Sequence, residues 1–82
     1  MNEENTFKQI IGKHIRHKRQ VMNITLEELA SDINMDDKHL GRIERGEKSP
    51  GGLTLSKLLI RLQLNPDVYL NELAEAIDSN QK

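Results

Sequence analysis

Residues 36–50, "DDKHLGRIERGEKSP", crowd hydrogen-bond donors onto a segment with helix punctuation at both ends. Lys38, His39 and Arg42 have side chains long enough to reach phosphates or base edges, and the Arg42 fork matches the two acceptors that guanine shows in the major groove. Asp36 is suited to cap a helix start, Leu40 and Ile43 mark one apolar side, and Gly46 can supply a left-handed stop. A helix this short and this charged, with Gly41 in its interior at roughly 1 kcal/mol against alanine, has too little apolar surface to stand alone. A second stretch points the same way. "KHIRHKR", residues 13–19, carries four fixed positive charges and two histidines with no acid. Net charge over the chain is only −1, but residues 8–48 hold nine Lys or Arg against seven Asp or Glu, and residues 49–82 three against four. A local basic field can steer a polyanion even on a nearly neutral chain, although a charge run is also what a solvated helix face looks like.

Other chemistries find little support. The chain has no cysteine, which removes disulfides, thiol catalysis and thiolate metal sites. His14 and His17 stand three apart and could share a helix face, but no third ligand accompanies them and His39 belongs to another element, so neither a metal nor another cofactor is expected. No Ser/His/Asp arrangement is visible, and "SPGG" lacks the lysine and the helix of a phosphate-binding loop, so an enzyme is not expected. The start, "MNEENTFKQI", lacks the basic-then-apolar order of a signal peptide, and no apolar run approaches membrane-spanning length. A cytoplasmic protein without membrane partners, forming a single domain over residues 1–82, is the expectation.

The elements that must hold the charged segment are helical. Aromatics are limited to Phe7 and Tyr69, no stretch alternates strictly, and apolar residues recur at three and four. Ile11, Ile15 and Met22 give a first helix from about Phe7 to Met22. Thr25 with Glu28 forms a capping box for a second helix whose apolar side is Leu26, Leu29, Ala30 and Ile33. Asn34 stands where the chain must turn sharply, and asparagine tolerates the left-handed conformation. The third helix, about three turns, is the opening segment. After the loop "GEKSPGG", Thr54 caps a fourth helix carrying Leu55, Leu58, Leu59 and Leu62, and Asn65 caps a fifth with Pro66 at its first position. An all-α, compact five-helix bundle follows, and the tight link between the second and third helices reads as a helix-turn-helix over about residues 25–46.

With these elements in order, the stretch from "IGKHIRHKRQ" through "LEELA" to "IERG" and "LSKLL", about Ile11 to Leu64, resembles the Cro and phage-repressor helix-turn-helix family, often called XRE-type. The resemblance implies a lambda-repressor-like DNA-binding domain whose recognition helix is the one ending at Gly46. It puts Asp37, Lys38 and Arg42 at the positions where relatives contact bases, and His39 can add a base-edge or phosphate contact. Phosphate contacts are expected from Thr25, Arg45, Lys48 and Arg19. In relatives the arginine near the end of the first helix pairs with the glutamate of the "IERG" segment, which here assigns Arg19 and Glu44 to a structural ion pair. The glutamine that begins the second helix in many relatives is Leu26 here, which leaves backbone N–H groups and the helix dipole to meet a phosphate.

The function implied is a sequence-specific DNA-binding transcriptional regulator, a repressor acting as a homodimer on a two-fold double-stranded operator, with a protein antagonist or its own concentration as the control. Phage or mobile-element repressor, restriction-modification controller and antitoxin are all compatible with its size. The rival class keeps the fold but has lost DNA binding and serves as a protein-interaction module of antitoxin or anti-repressor type; Leu26, Asp36 and Asp37 are its evidence. The fifth helix, about residues 66–78, has more apolar side chains than one small core needs. Ile60, Val68, Tyr69, Leu70, Leu73 and Ile77 are therefore expected to form a dimer interface, with closure of the monomer core as the plainer alternative.

Overall fold

The computed structural model describes residues 2–80, which form five α-helices and no strand. These are α1 (Glu3–Val21), α2 (Leu26–Asp32), α3 (Asp37–Glu44), α4 (Gly52–Leu62) and α5 (Pro66–Asn80). α1 starts well before Phe7 because Asn2 caps it: Asn2 Oδ1 accepts from the N–H groups of Glu4 at 2.8 Å and Asn5 at 3.3 Å. Glu3 and Glu4 then sit on the positive end of the helix dipole. A local polar cap, rather than the apolar stripe, sets this boundary. α4 likewise begins at Gly52, with Gly51 as its cap and no side-chain capping bond, so Thr54 lies inside the first turn. The capping box of α2 forms as its sequence implies, with Thr25 Oγ accepting from Glu28 N–H at 3.0 Å and the Glu28 carboxylate accepting from Thr25 N–H at 3.1 Å. Asn65 Oδ1 accepts from Asp67 N–H at 3.0 Å at the head of α5.

The first four helices end by one device. A residue in the left-handed region reverses the chain, and the two N–H groups at the reversal return to carbonyls of the last turn. Asn23 (φ 59°), Asn34 (φ 57°), Gly46 (φ 76°) and Gln63 (φ 51°) are those residues. The α2 end is representative: Asn34 N–H donates to Ser31 C=O at 3.1 Å and Met35 N–H to Ala30 C=O at 2.8 Å. α3 follows from Asp37 after only residues 33–36, and Asp36 caps it by accepting from His39 N–H at 3.2 Å. At eight residues α3 is nearer two turns than three.

Ile11, Ile15, Leu29, Leu40, Ile43, Leu58 and Leu62 are completely enclosed, drawing α1 to α4 onto one core. α5 closes it from the side of α1. Tyr69 packs edge-on to Phe7, ring centroids 6.5 Å apart, and the Glu72 carboxylate accepts from Lys13 Nζ at 2.7 Å and pairs with His14 Nε2 at 2.9 Å.

Candidate nucleic-acid interface

Two features lock α3 against α1 and fix how the helix-turn-helix faces solvent. The first is Gly12. A Cβ there would lie 2.5 Å from the Ile43 carbonyl oxygen and 2.8 Å from that of Glu44, so the last turn of α3 rests directly on the α1 backbone. The second is the pair between Arg19 and Glu44. Arg19 Nε donates to Glu44 Oε2 at 2.7 Å, its NH2 to Oε1 at 3.0 Å, and its NH1 to the Ile24 carbonyl at 2.9 Å. Only 13% of the Arg19 side chain and 5% of the Glu44 side chain are exposed. Donation to the Glu44 carboxylate holds the Arg19 guanidinium above its usual pKa, against the opposing effect of burial. A bidentate, shielded pair of this kind ties two helices with directional bonds.

Held this way, α3 turns Leu40 and Ile43 inward and sends Lys38, Arg42 and Arg45 outward, since residues spaced four and then three apart return to one side of a helix. Gly41 is enclosed next to α2, where a Cβ would meet Leu26 Cδ2 at an ordinary 3.5 Å and the end of the Arg45 side chain at 3.1 Å. The outward face is therefore a short cationic strip with no apolar cover, of a width that a DNA major groove accepts.

Residues 15–69 match the model of the family described as helix-turn-helix, two-thirds of the chain. The chain belongs to the helix-turn-helix family. The match supports an XRE-type, DNA-binding transcriptional regulator. Among solved structures, it is similar to the clp gene regulator ClgR from Corynebacterium glutamicum, with a TM-score of 0.75 and 26% identity, covering 92% of this chain and 82% of that one. No curated protein sequence matches it.

Within the helix-turn-helix frame the residues named from sequence separate. Lys38 and Arg42 stand on the outward face of α3, whereas Asp37 and His39 are half-buried on its flanks. Thr25 is exposed at the head of α2, its hydroxyl oxygen occupied as an acceptor and its proton left to donate. Lys48 is exposed in the loop after α3. Arg19, expected to touch a phosphate as well, has three donors committed inside the fold and little exposed surface. The basic run 13–19 does not act as one face. Lys13 and His14 hold Glu72 and Arg19 holds Glu44, while Arg16 and His17 border a shallow groove with Gln9, Gln20 and Arg45. No three His, Asp or Glu side chains among the described residues could share a metal, and no described helix is long and apolar enough to cross a membrane.

The interface set from sequence also divides. Tyr69 is 7% exposed and belongs to the chain's own core, where the α1–α5 contact puts it, and Leu73 packs against the same core. Val68 and Leu70 are exposed but lie on opposite flanks of Tyr69, each about 100° away around the helix. Ile60 points away from the core on α4 and shares its outward side with Leu53, seven residues earlier. Sequence reasoning passed over Gly12, whose role depends on a neighbour distant in the chain, and Glu47. The Glu47 carboxylate lies 2.7 Å from Arg45 Nε and 3.8 Å from Arg42 Nε.

Proposed function

We propose that this chain is a sequence-specific transcriptional repressor that binds a two-fold operator as a homodimer, with α3 in the major groove. The observation that carries this reading is the outward strip of Lys38, Arg42 and Arg45 on a helix whose other side is fastened to α1 and α2. Arg42 is the residue to read guanine through two parallel hydrogen bonds, Lys38 donates to a neighbouring base or phosphate, and Thr25, Arg45 and Lys48 hold the backbone on either side. A small protein that covers a promoter in this way blocks polymerase.

The dimer reading narrows to the stripe of Leu70, Ala74 and Ile77, which share one side of α5 beyond the part that closes the core. The remaining charges support a second copy: apart from Glu72, which pairs with Lys13 and His14, α5 carries Asp67, Glu75 and Asp78 with no base, and apart from Arg61, which pairs with Asp32, α4 carries Lys57 with no acid. A two-fold that sets α5 of one copy near α4 of the other would bring unlike charges together at both ends, with the recognition helices about 34 Å apart.

Salt titration of binding to a selected duplex and to random duplexes tests the reading. Arg42→Ala is expected to cost roughly 1–3 kcal/mol per contact and relax preference at one position of each half-site. Lys48→Ala is expected to weaken binding to all sequences and flatten the salt slope by about 0.9 per subunit bound. If Arg42→Ala left both the selected site and the affinity unchanged, the groove assignment would be wrong. Absence of any salt-dependent DNA binding by the wild type would favour the rival reading, a protein-interaction module.

A further inference from the structure

The end of α3 holds a carboxylate where a DNA-binding surface has least use for one. Gly46 reverses the chain in the left-handed conformation, and Glu47 N–H donates back to the Arg42 carbonyl at 2.9 Å. This turn returns the Glu47 side chain over the last turn of α3. Its Oε2 accepts from Arg45 Nε at 2.7 Å, and its Oε1 lies 3.8 Å from Arg42 Nε. All three side chains are about half exposed, 55% for each arginine and 49% for Glu47, so water does not force the pairing through burial. The position is also unfavourable on its own, since a negative charge faces the negative end of the helix dipole there. The two arginines offset that: the hydrogen bond from Arg45 is the main reason that the Glu47 carboxyl titrates below its usual range, and the same bond raises Arg45.

We infer that Glu47 is an internal competitor for DNA phosphate: in the free protein its carboxylate occupies Arg45 Nε and attracts Arg42 from 3.8 Å, so that a phosphate taking that donor must displace it. The inference rests on the reading of α3 as a DNA-recognition helix and adds to it a residue that sets how weakly the protein holds DNA of the wrong sequence. A carboxylate and a phosphate oxygen are alternative acceptors for the same guanidinium donors. On a random duplex, phosphates are the only reward for releasing the arginines. On the operator Arg42 gains two acceptors on one base, so the competition falls more heavily on nonspecific binding. The carboxylate also repels nearby phosphates directly, and the experiment must separate that effect from the competition.

The test uses the full chain and a fluorescently labelled random-sequence duplex, with anisotropy measured over a series of salt concentrations. Glu47→Gln keeps the size of the side chain and removes the charge. It is expected to tighten nonspecific binding by up to about fivefold, the order set by releasing one solvent-exposed ion pair, and to steepen the salt slope by about 0.9 for each arginine that the wild type leaves on Glu47. Arg45→Ala supplies the second arm. If Glu47 acts by holding Arg45, the gain from Glu47→Gln should shrink in the Arg45→Ala background. An equal gain in both backgrounds would show bare repulsion of phosphate and overturn the competitor role. Equal affinity and slope for the wild type and Glu47→Gln would overturn it as well, while leaving the DNA reading intact. Failure of both proteins to bind DNA at low salt would overturn the two together.

Discussion

Replacing Glu44 with alanine gives the most demanding check of how α3 is held. The change leaves the Arg19 guanidinium shielded, still bonded to the Ile24 carbonyl, but with no counter-charge. Breaking one side of a buried pair costs about 3–5 kcal/mol. A domain of this length is stable by about 4–12 kcal/mol in total, so the variant should lose a large share of that. At about 4–8 °C per kcal/mol for a small domain, a loss of 3 kcal/mol lowers Tm by about 12–24 °C. Arg61 provides an internal control because its Nε lies 2.7 Å from Asp32 Oδ2, the same separation as Arg19 Nε from Glu44 Oε2. The difference is solvent: the Arg61 and Asp32 side chains are 38% and 39% exposed. Arg61→Ala should therefore cost less than about 1 kcal/mol. Urea and thermal melts of both variants beside the wild type decide the matter. The paired replacement Arg19→Met with Glu44→Leu should recover part of the Glu44→Ala loss, because it removes the stranded charge. A Glu44→Ala protein as stable as Arg61→Ala would show that burial does not govern this pair, and the argument for a rigidly fastened α3 would fail.

Two glycines should respond in opposite directions. Gly12→Ala must push the α3 backbone away from contacts of 2.5 and 2.8 Å and should destabilise by about 1–3 kcal/mol in a denaturant melt. Gly41→Ala meets only ordinary contacts and a flexible arginine end, and should stabilise by up to about 1 kcal/mol through helix propensity. Acid should weaken the attachment of α5: Glu72 is held below its ordinary pKa of 4.5, first by the hydrogen bond from Lys13 and then by that from His14. A depressed carboxyl contributes stability above its unfolded pKa and loses it as pH falls through the folded one. The Glu72→Gln variant should therefore melt below the wild type at neutral pH and converge with it well below pH 4.5. On α5, Leu70→Asp should give a folded chain with weaker self-association by sedimentation, while Tyr69→Asp should unfold it, because only Tyr69 belongs to the core. Equal behaviour of the two would contradict that division.

What the sequence disclosed was mostly local. Thr25 and Glu28 form their capping box within one turn, Asn34 bends the link between α2 and α3, and the pattern of Leu29, Leu40 and Leu58 needs only helical spacing to be read as core. The same helix ending at Asn23 and Gln63 was less visible, and glutamine is not a residue that advertises the left-handed conformation. Non-local facts were hidden for a physical reason. Gly12 looks like a weak point in a helix until the carbonyls of Ile43 and Glu44 are laid across it. Which apolar residues of α5 face inward depends on how Phe7, Lys13 and His14 dock that helix, and no spacing within α5 distinguishes Tyr69 from Leu70. The outward cationic face of α3 was legible in Lys38 and Arg42, but the arginine pairing with Glu47 required the turn at Gly46 to be built first.

The central claim is that α3 reads DNA sequence, and selection of binding sites from a random duplex pool by the wild-type chain tests it most directly. The account predicts a two-fold site whose half-sites lie one helical turn apart, each containing a guanine whose preference disappears when Arg42→Ala is put through the same selection. Enrichment of no common sequence, or an unchanged site for Arg42→Ala, would contradict it.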